Sequence, residues 1–121
     1  MLTWPSCIKI YLASQPCDMR NGPDGLAALV RQQGLNVFAG HLFVFLSKTC
    51  DRVKILYWER GGFVVWYKRL ERGVFKMPNC EKEAQNVALD PSQLAMLLEG
   101  LDLSKVRRPP RWQPPDVCAL P

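Results

Sequence analysis

The chain has 121 residues, a formal net charge of +5, and side chains that are 48% apolar and 22% charged. That length suits one compact domain, and the balance is that of a water-soluble globular protein, which excludes bulk disorder. The longest mostly apolar run, residues 41–46, falls far short of the roughly 20 residues a membrane-spanning helix needs, and no export signal opens the chain, so no membrane partner is expected.

In chain order, residues 7–13 alternate Ile8, Ile10 and Leu12 with Lys9 and Tyr11, the period of a half-buried strand. A polar turn over residues 16–22 follows. Pro23 suits the first position of a helix, where its missing N–H costs nothing, and Leu26, Leu29 and Val30 then share one face before Gly34 stops it. Gly25 weakens that helix, so burial of its apolar face must contribute.

Residues 41–46, 53–58 and 63–67 are rich in β-branched and aromatic side chains and predict three strands. A tight turn at Arg60-Gly61 pairs Trp58 with Phe63, Leu56 with Val65, Lys54 with Tyr67 and Arg52 with Arg69 on one face. The opposite face then carries Val53, Ile55, Tyr57, Val64 and Trp66, joined through a turn at residues 48–51 by Leu42, Val44 and Leu46, and is the expected core. The first face mixes Arg52, Lys54 and Arg69 with Phe43, Phe45, Trp58, Phe63 and Tyr67. Two readings of it stand: another element covers its apolar end, or bases and rings together form a docking surface.

Further along, Asp90-Pro91-Ser92-Gln93 predicts a helix start with a capping box, Leu94, Leu97 and Leu98 its apolar stripe, and Gly100 its end. The tail from Lys105, with Pro109, Pro110, Pro114 and Pro115, is incompatible with helix or interior strand. The expected organisation is a single α+β domain over residues 1–104, an antiparallel meander with two packed helices, followed by a basic, proline-rich extended tail over residues 105–121.

Charge is unevenly spread. Residues 41–79 carry a net +5, residues 80–104 a net −4, and the tail from Lys105 a net +3. Such segmentation favours a polyanion or an acidic protein surface as partner. The five cysteines (Cys7, Cys17, Cys50, Cys80, Cys118) are odd in number and never in a C-x-x-C pair, which fits buried thiols in a reducing cytoplasm better than a disulfide framework. With His41 the only histidine, no metal or other cofactor is expected.

Several runs, taken in order, are similar to one family. These are Asp18-Met19-Arg20 before Asp24-Gly25-Leu26, Gly40-His41-Leu42-Phe43-Val44-Phe45, Lys54-Ile55-Leu56-Tyr57-Trp58, and Gly62-Phe63 leading to Tyr67-Lys68-Arg69-Leu70-Glu71-Arg72-Gly73-Val74-Phe75. Together they resemble the accessory protein of insertion sequences of the sixty-six type, often labelled TnpB, which is distinct from the RNA-guided nuclease of that label. The resemblance spans roughly residues 8–78. It implies a protein encoded beside a separate transposase and needed for transposition of a mobile genetic element, and it assigns no residue a role by position. The sequence departs from the family's pattern in having only Lys48 and Arg52 as bases across residues 47–52, and Asn21 where a lysine is common.

No set of acids converges as a two-metal transposase centre requires, since Asp18, Asp24 and Asp51 fall at turns or a helix start, so no catalytic residue is expected. His41 has no cysteine placed to form a catalytic pair. Two non-enzymatic functions remain. In one, Lys48, Arg52, Lys54, Arg60, Lys68, Arg69 and Arg72, interleaved with Trp58 and Tyr67, bind DNA phosphates and stack on bases. In the other, the aromatic face and the proline-rich tail hold the transposase without touching DNA.

Overall fold

The computed structural model describes residues 8–77 and 84–100. It forms one five-stranded sheet flanked by two helices, an α+β arrangement. The strands are β1 (Ile10–Ala13), β2 (Leu42–Leu46), β3 (Arg52–Glu59), β4 (Gly62–Arg69) and β5 (Asn86–Leu89), with helices α1 (Pro23–Gln32) and α2 (Pro91–Leu98). The expected tail over residues 105–121 lies outside the described residues.

The central meander follows from its turns. Arg60 (φ 44°) and Gly61 (φ 85°) both sit at positive φ, the backbone of a two-residue hairpin whose twist matches the flanking strands. The resulting register pairs Trp58 with Phe63, Leu56 with Val65, Lys54 with Tyr67 and Arg52 with Arg69. Between β2 and β3 the register is Phe43 with Leu56 and Leu46 with Val53, closed by a turn in which Cys50 N–H donates to the Ser47 carbonyl at 2.9 Å.

Two features lie beyond the expected meander. Strand β1 joins β2 in parallel, with Ile10 opposite Leu42, because α1 forms the crossover between them. Strand β5 pairs antiparallel to β1, giving the order β4-β3-β2-β1-β5. Four residues reading Asn-Val-Ala-Leu carry too little alternation to signal a strand alone, and it is the β1 ladder that orders them.

The sheet is covered on both faces. On one, Leu42, Val44, Leu46, Val53 and Ile55 pack with Leu94 and Leu97 of α2 and with Phe75, which is 1% exposed. This is the expected core face. On the other, Leu26, Ala27 and Val30 of α1, with Val37, pack on Phe43, Phe45 and Leu56. Helix α1 therefore covers the apolar part of the mixed face, the first of the two readings above, because a strand pair that alternates Phe43, Phe45 and Leu56 on that side must bury them. Helix α2 begins as expected: Asp90 Oδ1 accepts from Gln93 N–H at 2.8 Å, and Asp90 N–H donates to Gln93 Oε1 at 2.9 Å.

Candidate anion-binding groove

Helix α1 does not reach the end of the mixed face where Arg52 and Lys54 lie. There the sheet, the loop over residues 16–20 and the turn over residues 47–49 enclose an open groove of about 820 Å³. Its floor is Arg52, Lys54, Val65 and Tyr67; one wall carries Asp18 and Arg20, the other Ser47, Lys48 and Thr49. Arg20, Lys48, Arg52 and Lys54 thus converge on it, with Asp18 as the one acid in the lining among the described residues.

The walls are held by specific bonds. Lys54 Nζ donates to the Met19 carbonyl at 2.7 Å and to the Asn21 carbonyl at 2.8 Å, tying the loop to the sheet. The Cys17 N–H donates to the Leu46 carbonyl at 2.9 Å, and Asn21 Nδ2 closes the turn on the Asp18 carbonyl at 3.0 Å. Burial pushes the Cys17 thiol up, against the hydrogen bond it receives from Asn21. Carbonyls accept without neutralising, so these two bonds bring no counter-charge to the Lys54 ammonium. Its ammonium also stands 5.7 Å from the centre of the Tyr67 ring, within cation–π range.

The Asp18 carboxylate is bound to its neighbour. Arg20 Nη2 donates to Asp18 Oδ2 at 2.7 Å, Arg20 Nε to both carboxylate oxygens at 3.1 Å, and the Arg20 backbone N–H to Oδ1 at 2.9 Å. These bonds from the guanidinium, then from the backbone, pull Asp18 down to about 2. The opposite turn is organised likewise: Asp51 is held below the usual carboxylate range first by the Thr49 hydroxyl, and Ser47 Oγ also donates to it at 3.3 Å. Arg52 then has its backbone N–H on Ser47 Oγ at 3.2 Å, while among the described residues its guanidinium and the Lys48 ammonium meet no carboxylate within ion-pair distance.

Of the residues singled out in the sequence, the groove gathers Lys48, Arg52, Lys54 and Tyr67. Arg69 sits opposite Arg52 in the ladder, just outside the lining, and forms an exposed pair with Glu71 at 3.2 Å. Arg72 is exposed on the segment after β4. Arg60 lies in the hairpin turn and Trp58 beside it, at the far end of β3, roughly 20 Å from Arg52 at the usual rise per strand residue. Trp58 belongs there to an aromatic cluster, 4.9 Å from Phe63 and 5.0 Å from Phe38 between ring centres. Lys68 is on the other side of the sheet, donating to the Leu98 carbonyl at the end of α2 at 2.9 Å, a helix terminus that favours a cation. Arg20 was not among the candidates. Its signal was the aspartate two residues before it in a polar turn, but only the fold places that turn against Lys54.

His41 has a structural role: its Nδ1 accepts the Lys9 backbone N–H at 3.0 Å and its ring packs edge-on against Tyr11. No helix among the described residues is long and apolar enough to cross a membrane.

A family model described as IS66 Orf2 like protein matches residues 8–108. The chain is 37% identical over 112 residues to an uncharacterized protein of Sinorhizobium fredii, y4jC, covering 92% of this chain and 94% of that one. It is 35% identical over 112 residues to a second uncharacterized protein of the same organism, y4hO, covering 91% and 93% respectively. No solved structure matches.

Proposed function

The chain belongs to the IS66 Orf2-like family, proteins associated with insertion sequences, and from that membership we propose that it is a non-catalytic cytoplasmic accessory factor that assists DNA transposition by holding nucleic acid in the basic groove. The observation that carries this is the convergence of Arg20, Lys48, Arg52 and Lys54 on one open cleft with, among the described residues, a single acid, itself engaged by Arg20. A phosphate backbone is the ligand class that rewards such an array, since each neutralised phosphate releases a condensed counterion. Tyr67, 49% exposed on the groove floor, offers a ring for an unstacked base. Backbone contacts of this kind predict affinity that is largely independent of sequence and steeply dependent on salt.

The test is a fluorescence titration of the full chain with duplex and single-stranded DNA at several salt concentrations. About three phosphate contacts predict a slope of roughly −3 for log K against log salt on duplex DNA and roughly −2 on a single strand. Absence of binding even at low salt removes the proposal.

A second reading, contact with the separately encoded transposase, is favoured by a different observation. Phe38 is 52% exposed and stands over Trp58 and Phe63, with the Arg31 guanidinium 5.8 Å from its ring centre. Aromatic and arginine side chains grouped in this way are common anchors of protein interfaces. Co-purification of transposase with this chain, lost on Phe38→Ala, supports it; equal recovery with the variant overturns it.

A further inference from the structure

Among the described residues the last strand of the meander, β4, ends the sheet, and two hydrogen bonds fix its backbone direction. Leu70 N–H donates to the Asp51 carbonyl at 2.8 Å, one step beyond the Arg52–Arg69 pair. Because bonded and non-bonded pairs alternate along an antiparallel ladder, Lys68, Trp66, Val64 and Gly62 face β3 with their backbone groups. The bond from Ser47 N–H to the Arg52 carbonyl at 3.0 Å fixes the same phase independently, since it turns Arg52, Lys54, Leu56 and Trp58 toward β2 and leaves the alternate residues for β4. Phe63, Val65, Tyr67 and Arg69 therefore point four N–H and four C=O groups outward from β4, and among the described residues no strand lies beyond them.

An eight-residue edge of this kind is what folded proteins usually blunt with proline, a bulge or an inward charge. Strand β4 has none of these over Phe63, Val64, Val65, Trp66 and Tyr67. We propose that this edge is a docking surface for a second copy of the same chain, the two β4 strands pairing antiparallel about a two-fold axis at Trp66.

Self-complementarity selects that occupant and that register. A two-fold axis perpendicular to the sheet keeps each face on its own side, so a residue must meet one of matching parity. Centred on Trp66, Phe63 meets Arg69 of the other copy and Val65 meets Tyr67, which satisfies every outward-pointing group of both strands. Centring on Val65 instead leaves Arg69 opposite Gly61 of the turn. In the chosen register Arg69 faces an aromatic ring, no two like charges within the strands are directly opposite, and the two Trp66 side chains adjoin across the axis on the α2 side. Val65 and Tyr67 also floor the basic groove, so pairing would set two grooves side by side on one face of a continuous ten-stranded sheet. The inference rests on the backbone phase of β4 and not on what the groove binds.

The experiment is amide hydrogen exchange by NMR together with sedimentation velocity on the full chain, without nucleic acid, across a concentration series. The expected result is a dimer in which protection of the Phe63, Val65, Tyr67 and Arg69 amides rises with concentration, while Val64, Trp66 and Lys68 are protected throughout. Val65→Pro removes an outward donor and leaves the bonds to β3 in place, an arrangement edge strands tolerate. It should raise the dimer Kd by at least about tenfold, since symmetry deletes the bond twice. A monomer up to about 200 μM, a typical limit below which a specific interface should show itself, overturns the proposal. So does protection of the odd-numbered amides in protein that sediments as a monomer, which would mean that the chain's own residues cover the edge. The exchange pattern of the unaltered protein decides the matter even if the proline variant does not fold.

Discussion

The ammonium of Lys54 donates to the main-chain carbonyl of Met19 across 35 residues of sequence, at 2.7 Å. That bond, with its companion to Asn21, makes one side chain both a tie that positions the groove wall and a positive charge within the groove.

Replacing Lys54 separates it from its neighbours. Lys54→Met keeps the aliphatic stem and removes both charge-assisted bonds, leaving two carbonyls of the loop without this partner. The expected loss is about 2 kcal/mol of unfolding free energy, read from urea denaturation. An unchanged midpoint would show that the loop is held without it.

Arg52→Ala and Lys48→Ala should behave in the opposite way. Neither side chain is tied to a described carboxylate, and exposed substitutions of this type stay within about 0.5 kcal/mol of the parent. Each should flatten the salt dependence of DNA binding by about one unit while leaving thermal unfolding in place. Arg60→Ala, at the hairpin end, serves as the control and should change neither. A variant with every one of these changes and full affinity would place the contact elsewhere.

The pH response of the groove follows from Asp18. Its folded value of about 2 lies below the ordinary 3.8, so ionised Asp18 favours the folded state. That contribution is complete above about pH 4 and is lost as the pH falls through about 2. Both members of the pair are solvent-exposed, with Arg20 91% and Asp18 49% accessible, so the effect on global stability is small and the local one is the useful readout. Carboxyl carbon shifts followed by NMR should titrate Asp18 near 2, and Arg20→Gln should return it toward 3.8. A midpoint near 4 in the parent protein would show that the pair does not form in solution.

Gly25 offers a substitution whose sign the helix alone gets wrong. Alanine in a helix is favoured over glycine by about 1 kcal/mol. A Cβ at this position, however, would meet Asn21 at 3.0 Å from its Cγ and 3.2 Å from its Cβ, with Oδ1 nearer still. Asn21 is the residue that closes the groove turn, so its displacement costs about 0.5–1.5 kcal/mol per bond lost, in addition to the steric strain. Gly25→Ala is expected to lower the denaturation midpoint and to weaken DNA binding; a raised midpoint would mean that Asn21 can step aside freely.

Much of the architecture was legible in the residues because it depends on short-range rules. The alternation through residues 41–67 and the Arg60-Gly61 turn specified the β3–β4 register residue by residue, since a two-residue hairpin admits few closures and a slip by one would invert every side chain. The capping box at Asp90 was equally local. Strand β5 was not legible, because its four residues are ordered by β1 some seventy-five positions away. Nor was the fate of the mixed face, because whether Phe43 and Leu56 meet solvent depends on where α1 comes to rest.

The same division runs through the basic residues. By itself the sequence determined that Arg52, Lys54 and Tyr67 would share a face, since alternation along paired strands is a property of the backbone. Only the tertiary structure decided that Arg20 would join them, that Lys54 would be committed to two loop carbonyls, and that Lys68 would cap α2 on the other side. The physical reason is range: a ladder fixes neighbours a few residues from a turn, whereas a long cation finds its acceptors among whatever segments the packing of the core brings within about 3 Å of it.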